Sequence, residues 1–263
     1  MDGYHLLDSL VVFADVADGL EVRPARDLSL TVHGPFAEGV PTDSGNLVLR
    51  AADLLRARRG VDAGAALALD KRLPHGGGIG GGSSDAACAI RLLARLWGVE
   101  PLTGAEALAL GADLPVCLHA PAPARMRGIG ERVDAVPDLP DAALVLVSPG
   151  LHVPTPAVFA ARARSGASNT AEMAVPGWGG GVAELAAFAR RGGNDLTAAA
   201  VRVAPGIAAV LDALAATPGL LVTGMSGSGS VCWGLAEGLP GAERAAADLA
   251  RPGWWVRAAR ILS

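Results

Sequence analysis

Between Leu73 and Ala87 the chain reads LPHGGGIGGGSSDAA, with six glycines in the seven positions from Gly76 to Gly82. Glycine is the most costly residue to order on folding, and a merely tight turn would need one or two. Small residues let backbone N–H groups converge on an anion, and a helix that starts beyond them adds a partial positive charge. Strand, glycine loop and helix together therefore form the pattern of a phosphate site. Several chemistries compete for it. Gly76, Gly78 and Gly81 satisfy GxGxxG, but a dinucleotide site also needs an acidic residue ending a strand ~20 residues on. Glu100, the residue offered there, follows a helix pattern and Gly98 instead. A Walker A loop ends in GK[ST], whereas Gly82 runs into Ser83 with no lysine. His75-Gly76-Gly77-Gly78 has the form of an esterase oxyanion loop. The nearest nucleophile elbow, Gly224-Met225-Ser226-Gly227-Ser228, fails GxSxG at its last position.

The elements that must hold this loop can be read on either side of it. AALALDK (65–71) is a strand leading in, and Ser84 to Trp97 is the clearest helix of the chain. Ala87, Ile90, Ala94 and Trp97 form its apolar stripe and Gly98 stops it. Upstream, LVVFADV (10–16), LEVRPA (20–25) and LSLTVHG (28–34) read as strands. TDSGNLVLRAADLLRARRG reads as a helix capped by Asp43 or Ser44, with Leu47, Leu54 and Leu55 at helical spacing and Gly60 as its stop. A short helix follows between 104 and 118, and ALVLVSPG (143–150) is a buried strand that closes a first domain, 1–150. In a second domain, 151–263, the stretch 164–181 is loop-like and mobile. Helix patterns at 182–191 and 205–216 precede the strand–loop–strand LLVTGMSGSGSVCWGLA and a last helix and strand. There are no internal repeats.

Composition sets the class. Of 263 residues, 51 % are hydrophobic and 35 are glycine, which fits an ordered α/β or α+β chain and not a disordered one. A net charge of −4 without a long basic cluster argues against a nucleic-acid partner. The densest basic patch, RARR at 56–59, ends a helix and reads as a solvated face suited to the macrodipole. Cys88, Cys117 and Cys232 form no CxxC pair, so they read as small buried hydrophobes in a reducing compartment. No leader pattern opens the chain, and the uncharged run Leu214 to Ala236 is broken by Pro218 and glycines. The expectation is a cytoplasmic protein with no membrane partner.

Seven stretches, in order, carry a resemblance over nearly the whole chain. They are DGYH (2–5), GNLVLRAA (45–52), DKRLPHGGGIGGGSSDAA (70–87), LGADLPVCL (110–118), PGLHVPTPAVF (149–159), GNDL (193–196) and TGMSGSGSVCWG (223–234). Together they resemble the galactokinase–homoserine kinase–mevalonate kinase (GHMP) superfamily. Within it they are similar to the branch that phosphorylates a cytidine diphosphate-linked methylerythritol in the non-mevalonate route to isoprenoids. The resemblance implies an α+β, two-domain GHMP kinase fold, with a left-handed βαβ connection in the first domain and a ferredoxin-like second domain. It also implies a small-molecule kinase that uses ATP and Mg²⁺ in the cleft between them.

The residue roles that follow are those the resemblance implies. Pro74, Gly76, Gly77, Gly78, Ile79, Gly80, Gly81, Gly82, Ser83 and Ser84 would wrap the ATP phosphates, with Ser83 or Ser84 as a possible Mg²⁺ ligand. Plain N-capping is the alternative for those serines. Asn46 and Lys71 match positions around the adenosine, where a lone Lys71 would otherwise be a solvated strand end. Asp113 matches the catalytic aspartate that takes the acceptor proton; by itself it would read as a turn residue. Tyr4 and Phe159 match an aromatic pair that sandwiches the cytosine, and His5 matches the residue that reads its edge. Thr155 and Pro156 shape that pocket; for the two aromatic residues core packing is the alternative. Gly227, Ser228 and Gly229, in a second glycine loop, would close around the substrate diphosphate or the transferred phosphoryl; a simple hairpin is the other reading.

One departure from the family is visible. Asp2-Gly3 is a hairpin-turn dipeptide with only Met1 before it. In the family a strand precedes this turn, bearing a lysine that helps activate the acceptor hydroxyl. The expectation is a misassigned start and a longer natural protein, set against an impaired variant that binds nucleotide with little or no turnover. A sister kinase with a different acceptor is the other alternative.

Overall fold

The computed structural model describes residues 6–263. The first strand expected over 10–16 is two short ones, β1 (Leu7–Val11) and β2 (Phe13–Ala14), because the chain changes sheets at Val12. β3 (Gly19–Ala25) and β4 (Ser29–His33) flank β5 (Gly64–Asp70) in a three-stranded sheet. Pro24 is accommodated because β3 is an edge strand. β4 and β5 run parallel and are joined through the helix α1 (Leu47–Arg59). Alternate residues Ala65, Leu67 and Leu69 of β5 turn inward, where α1 and α2 (Gly81–Trp97) cover them with Leu55, Ile90 and Leu93.

The cap of α1 is neither Asp43 nor Ser44. Asn46 accepts from the Val48 N–H at 2.9 Å, while Asp43 accepts from Gly45 N–H in the turn before it. The basic patch at the other end is also less free than expected. Arg59 makes a paired contact with Glu106 and donates to the carbonyls of Glu100 and Pro101, and Arg56 donates to those of Val61 and Asp62. These arginines fasten the loops that follow both helices.

Beyond α2 come α3 (Gly104–Ala107), a 3₁₀ turn over 108–110 and α4 (Leu114–Cys117). Two strands that the sequence reading passed over, β6 (Ala124–Gly128) and β7 (Arg132–Ala135), then join β1 in a second three-stranded sheet. Ion pairs of Arg125 with Asp8 and Glu172, and of Arg127 with Asp134 and Glu172, cross its polar face.

The remaining sheet has the order β2-β11-β8-β10-β9, built from β8 (Ala143–Ser148), β9 (Leu220–Met225), β10 (Cys232–Ala236) and β11 (Trp255–Leu262) with β2 at its edge. Without β2 the order is that of a β-α-β-β-α-β ferredoxin-like unit. β8 precedes the boundary drawn near 150, yet it is a central strand here. It is buried on both faces, which accounts for its continuous apolar run. Val145 and Val147 meet α5 (Thr155–Arg164), α7 (Thr197–Val203), α8 (Gly206–Ala216) and α9 (Gly238–Leu249), whereas Leu144 and Leu146 meet α6 (Gly181–Gly192). Neither α5 nor α7 was expected. The connection 165–180 is irregular as anticipated, but its far end is pinned. Trp178 is buried edge-on against Phe188 and its indole N–H donates to the Pro137 carbonyl.

Among the described residues no helix is long and apolar enough to cross a membrane. Cys117 and Cys232 are buried and Cys88 is half-buried, all free, matching the reading as small hydrophobes. Burial pushes the Cys117 thiol up to about 11 and the Cys232 thiol up to about 12.

Candidate active site

The glycine run bridges β5 and α2 and forms one wall of a cleft of about 340 Å³. Asn46, Lys71, Pro74, Gly76 to Gly82 and Ser83 line that cleft together, as do His75 and Asp85. Both ends of the loop are fixed by one buried cluster. Lys71 is not a solvated strand end: its side chain is 4 % exposed and its ammonium is paired with Asp18 and with Asp85, 2.9 Å away. Asp18 also accepts from the backbone N–H groups of Arg72, at 2.6 Å, and Leu73, at 2.8 Å. The cluster thus ties the first residues of the loop to the second turn of α2. Burial, partly offset by Lys71, raises the Asp85 carboxyl to about 6, and neighbouring Asp18 adds to the rise.

α2 starts three residues before the expected Ser84. Its N-cap is Gly80 in the left-handed region, φ +67°, with no side-chain cap. Ser83 and Ser84 are consequently in the first turn and neither caps it, which overturns the N-capping alternative. A glycine at 80 turns the chain so that the open N–H groups of the helix face the cleft. Among the described residues, the N–H groups from Ile79 to Ser83 have no acceptor within the chain, and the first such bond runs from Ser84 N–H to the Gly80 carbonyl.

Ser84 points away from the cleft wall toward α4, its Oγ lying 3.6 Å from Cys117 Sγ. That contact packs the end of α4 against the first turn of α2. Asp113 is the residue before α4 and is not among those lining the cleft; it is exposed and makes no side-chain capping hydrogen bond, while its carbonyl accepts from Cys117 N–H. Protein packed around the carboxyl still strips enough water to raise its pKa above the ordinary aspartate value.

The second glycine loop joins β9 to β10, so it is a hairpin as well as a candidate site. It lies against the first: a Cβ on Gly78, at φ +75°, would meet the Ser226 carbonyl at 2.7 Å and Gly229 N at 2.8 Å. Ser228 and Thr155 share a hydroxyl–hydroxyl hydrogen bond of 2.8 Å. Thr155 and Pro156 open α5, both exposed, and Phe159 is half-buried one turn on. Gly227, Ser228, Gly229, Thr155 and Pro156 therefore gather at the mouth of the glycine loop. Tyr4 and His5 lie outside the described residues.

Three residues with evident structural duties at this site had no assigned role. Asp18 lies between two strand patterns and carries no local signal, since its partners Lys71, Arg72 and Leu73 stand more than fifty residues later. Asn194, within the quoted GNDL, donates to the Met225 and Gly227 carbonyls and so holds the second loop. Ser226 donates to the Gly78 carbonyl.

The chain is similar to known proteins over its whole length. The profile of the GHMP kinases N terminal domain matches residues 46–123. The 4-diphosphocytidyl-2-C-methyl-D-erythritol kinase of Jannaschia sp. (strain CCS1) is 53 % identical over 262 residues, covering 100 % of this chain and 91 % of its own. That of Paramagnetospirillum magneticum (strain ATCC 700264 / AMB-1) is 51 % identical, covering 100 % of this chain and 92 % of its own. A crystal structure of 4-(cytidine 5'-diphospho)-2C-methyl-D-erythritol kinase superposes with a TM-score of 0.80 at 37 % identity, covering 100 % of this chain and 92 % of that one.

Proposed function

Because the chain belongs to the 4-diphosphocytidyl-2-C-methyl-D-erythritol kinase family, we propose that it transfers the γ-phosphoryl group of ATP to the 2-hydroxyl of 4-diphosphocytidyl-2-C-methyl-D-erythritol. The product is the 2-phosphate, in the non-mevalonate route to isoprenoid precursors. The observation that carries the reading is the set of unpaired backbone N–H groups from Ile79 to Ser83 at the head of α2, in the cleft lined by Asn46 and Lys71. Phosphoryl transfer asks for positioning and charge neutralisation more than covalent chemistry, and such N–H groups supply both.

In this reading Pro74 to Ser83 hold the phosphates, Ser84 being turned toward α4, and Asn46 and Lys71 border the nucleoside. Asp113 accepts the proton of the acceptor hydroxyl as the new phosphorus–oxygen bond forms. Its unpaired carboxylate and partial desolvation support that role. Thr155, Pro156, Phe159 and Gly227 to Gly229 hold the acceptor, with Tyr4 and His5 expected on the cytosine. ATP falls to the first domain and the acceptor loop to the second, whose sheet takes in β8 from before residue 150. Both ligands are water-soluble, which suits a cytoplasmic enzyme.

Mg²⁺ fits these residues as an ion carried on the phosphates. Among the described residues no group of three or more His, Cys, Asp or Glu could cage a metal, and a nucleotide-bound Mg²⁺ needs only one or two protein oxygens. Ser83, half-exposed in the first turn of α2, is the hydroxyl that would reach it. When bound, the ion neutralises charge on the phosphate oxygens.

The test is ADP release with three acceptors offered separately: the cytidine-linked substrate, mevalonate and homoserine. Turnover with the first alone is expected. Equal turnover with either of the others sinks the acceptor assignment, and ATP binding by calorimetry without ADP from any acceptor leaves a nucleotide-binding protein.

A further inference from the structure

The two glycine loops touch, although the sheets they extend share no strand. The loop after β5 and the loop between β9 and β10 meet at two hydrogen bonds. Val231 N–H donates to the Gly77 carbonyl at 2.9 Å, and Ser226 Oγ donates to the Gly78 carbonyl at 2.9 Å. The backbones approach so closely that a Cβ on Gly227 would lie 2.9 Å from the Gly78 carbonyl oxygen. Of these two bonds only the Ser226 bond comes from a side chain, so only it can be removed without altering the backbone.

The second loop is itself firmly built. Ser226 N–H donates to the Val231 carbonyl and Gly229 N–H to the Ser226 carbonyl, each at 2.9 Å. Asn194 Nδ2 reaches the carbonyls of Met225 at 2.9 Å and Gly227 at 2.8 Å, while its Oδ1 accepts from Leu196 N–H. A shift at Gly78 is therefore passed to a preformed hairpin and not absorbed by a slack one. On its far side that hairpin carries Ser228, whose hydroxyl meets Thr155.

We propose that Ser226 is a positioning residue that couples the two loops. By holding the Gly78 carbonyl, its hydroxyl makes occupancy of the phosphate loop tighten the acceptor loop. Linkage requires the reverse effect with the same factor. The inference rests on the kinase reading above for the identity of the two ligands. It goes beyond that reading in assigning their mutual dependence to one hydroxyl.

The experiment is hydrogen–deuterium exchange on the full chain with and without a non-hydrolysable ATP analogue and Mg²⁺. Wild type, Ser226→Ala and the rescue variant Ser226→Thr are compared, with Ser226→Gly replacing the alanine variant should that one melt early. Analogue binding is followed by calorimetry. In wild type and S226T the analogue slows exchange across 224–232 several-fold; in S226A that protection is lost while the analogue still binds. The ATP KM falls with rising acceptor in wild type, and this dependence weakens by roughly threefold to tenfold in S226A, the worth of one hydrogen bond expressed as an affinity ratio. A mere packing role would lower the melting temperature without removing the ligand response. Wild-type chain that binds the analogue with unchanged 224–232 exchange overturns the inference, as does S226A with wild-type protection. Both results leave the kinase reading standing, since ADP release tests it separately. Failure of the wild-type chain to bind the analogue overturns the two together.

Discussion

The Lys71 ammonium donates to Asp85 over 2.9 Å in a site where both side chains are nearly sealed from water, and Asp18 shares the same ammonium. Burial raises the Asp85 carboxyl to about 6 from 3.8 in the open chain; the Lys71 ammonium offsets part of that rise and the Asp18 carboxylate adds to it.

A carboxyl whose pKa is raised by folding contributes stability that is fully present below the open-chain value and is lost as pH rises through about 6. The melting temperature of wild type should rise between pH 7.5 and 5 by an increment that Asp85→Asn lacks. Asn keeps an acceptor for Lys71, so the variant should be at least as stable as wild type at pH 7.5. Thermal melts of the two proteins across that range decide it, and parallel curves would refute the assignment.

Asp18→Asn should behave in the opposite way. Asp18 serves the ammonium and two backbone N–H groups at once, and breaking a buried pair typically costs about 3–5 kcal/mol. A melting temperature lower by roughly 6 °C or more is expected at this chain length. The ATP KM should rise with it, because the entry to the phosphate loop loses its anchor. Melts and initial rates at varied ATP check both halves.

Asp113→Asn should leave ATP affinity within about twofold and lower kcat by ~10²–10⁴, the usual worth of a positioned base. Because desolvation raises this carboxyl, the wild-type rate should fall on acidification at a pH above the ordinary aspartate range. Calorimetry and a kcat/KM profile are the measurements; a variant with normal kcat ends the assignment.

Two glycines of the same loop should respond differently to a methyl group. At Gly78 the added Cβ has a left-handed backbone and sub-3 Å contacts with the second loop, whereas at Gly82 nothing lies within 4 Å. Gly78→Ala should lose both stability and ATP binding. Gly82→Ala, in the first turn of α2, should melt at or above the wild-type temperature, so that any defect appears only in the ATP KM.

Legibility in the sequence followed the range over which each signal acts. The glycine loop, β5 and the stripe of α2 are local patterns, and each was readable as such. β6 and β7 are short and carry arginines, and the pairing of β6 with β1 spans more than a hundred residues, so no local alternation marked them. α5 opens on Thr155-Pro156 and has apolar residues on several faces, which left it without a helical stripe. The cap Asn46 was missed in favour of Asp43 and Ser44 because all three are good caps, and only the hydrogen bonds distinguish them. The acceptor-side residues drew their roles from resemblance alone; no spacing rule joins Thr155 to Ser228, which meet only through the fold.

The order β2-β11-β8-β10-β9 has a further consequence. A backbone cut in the irregular 165–180 connection would divide the chain into a piece owning β2 and β8 and a piece owning β9, β10 and β11. The strands of the two pieces interleave, since β11 is inserted between β2 and β8, and β8 between β11 and β10. Three of the four ladders in that sheet would span the cut, so the nicked molecule should hold together, and its halves made separately should reassemble by fragment complementation.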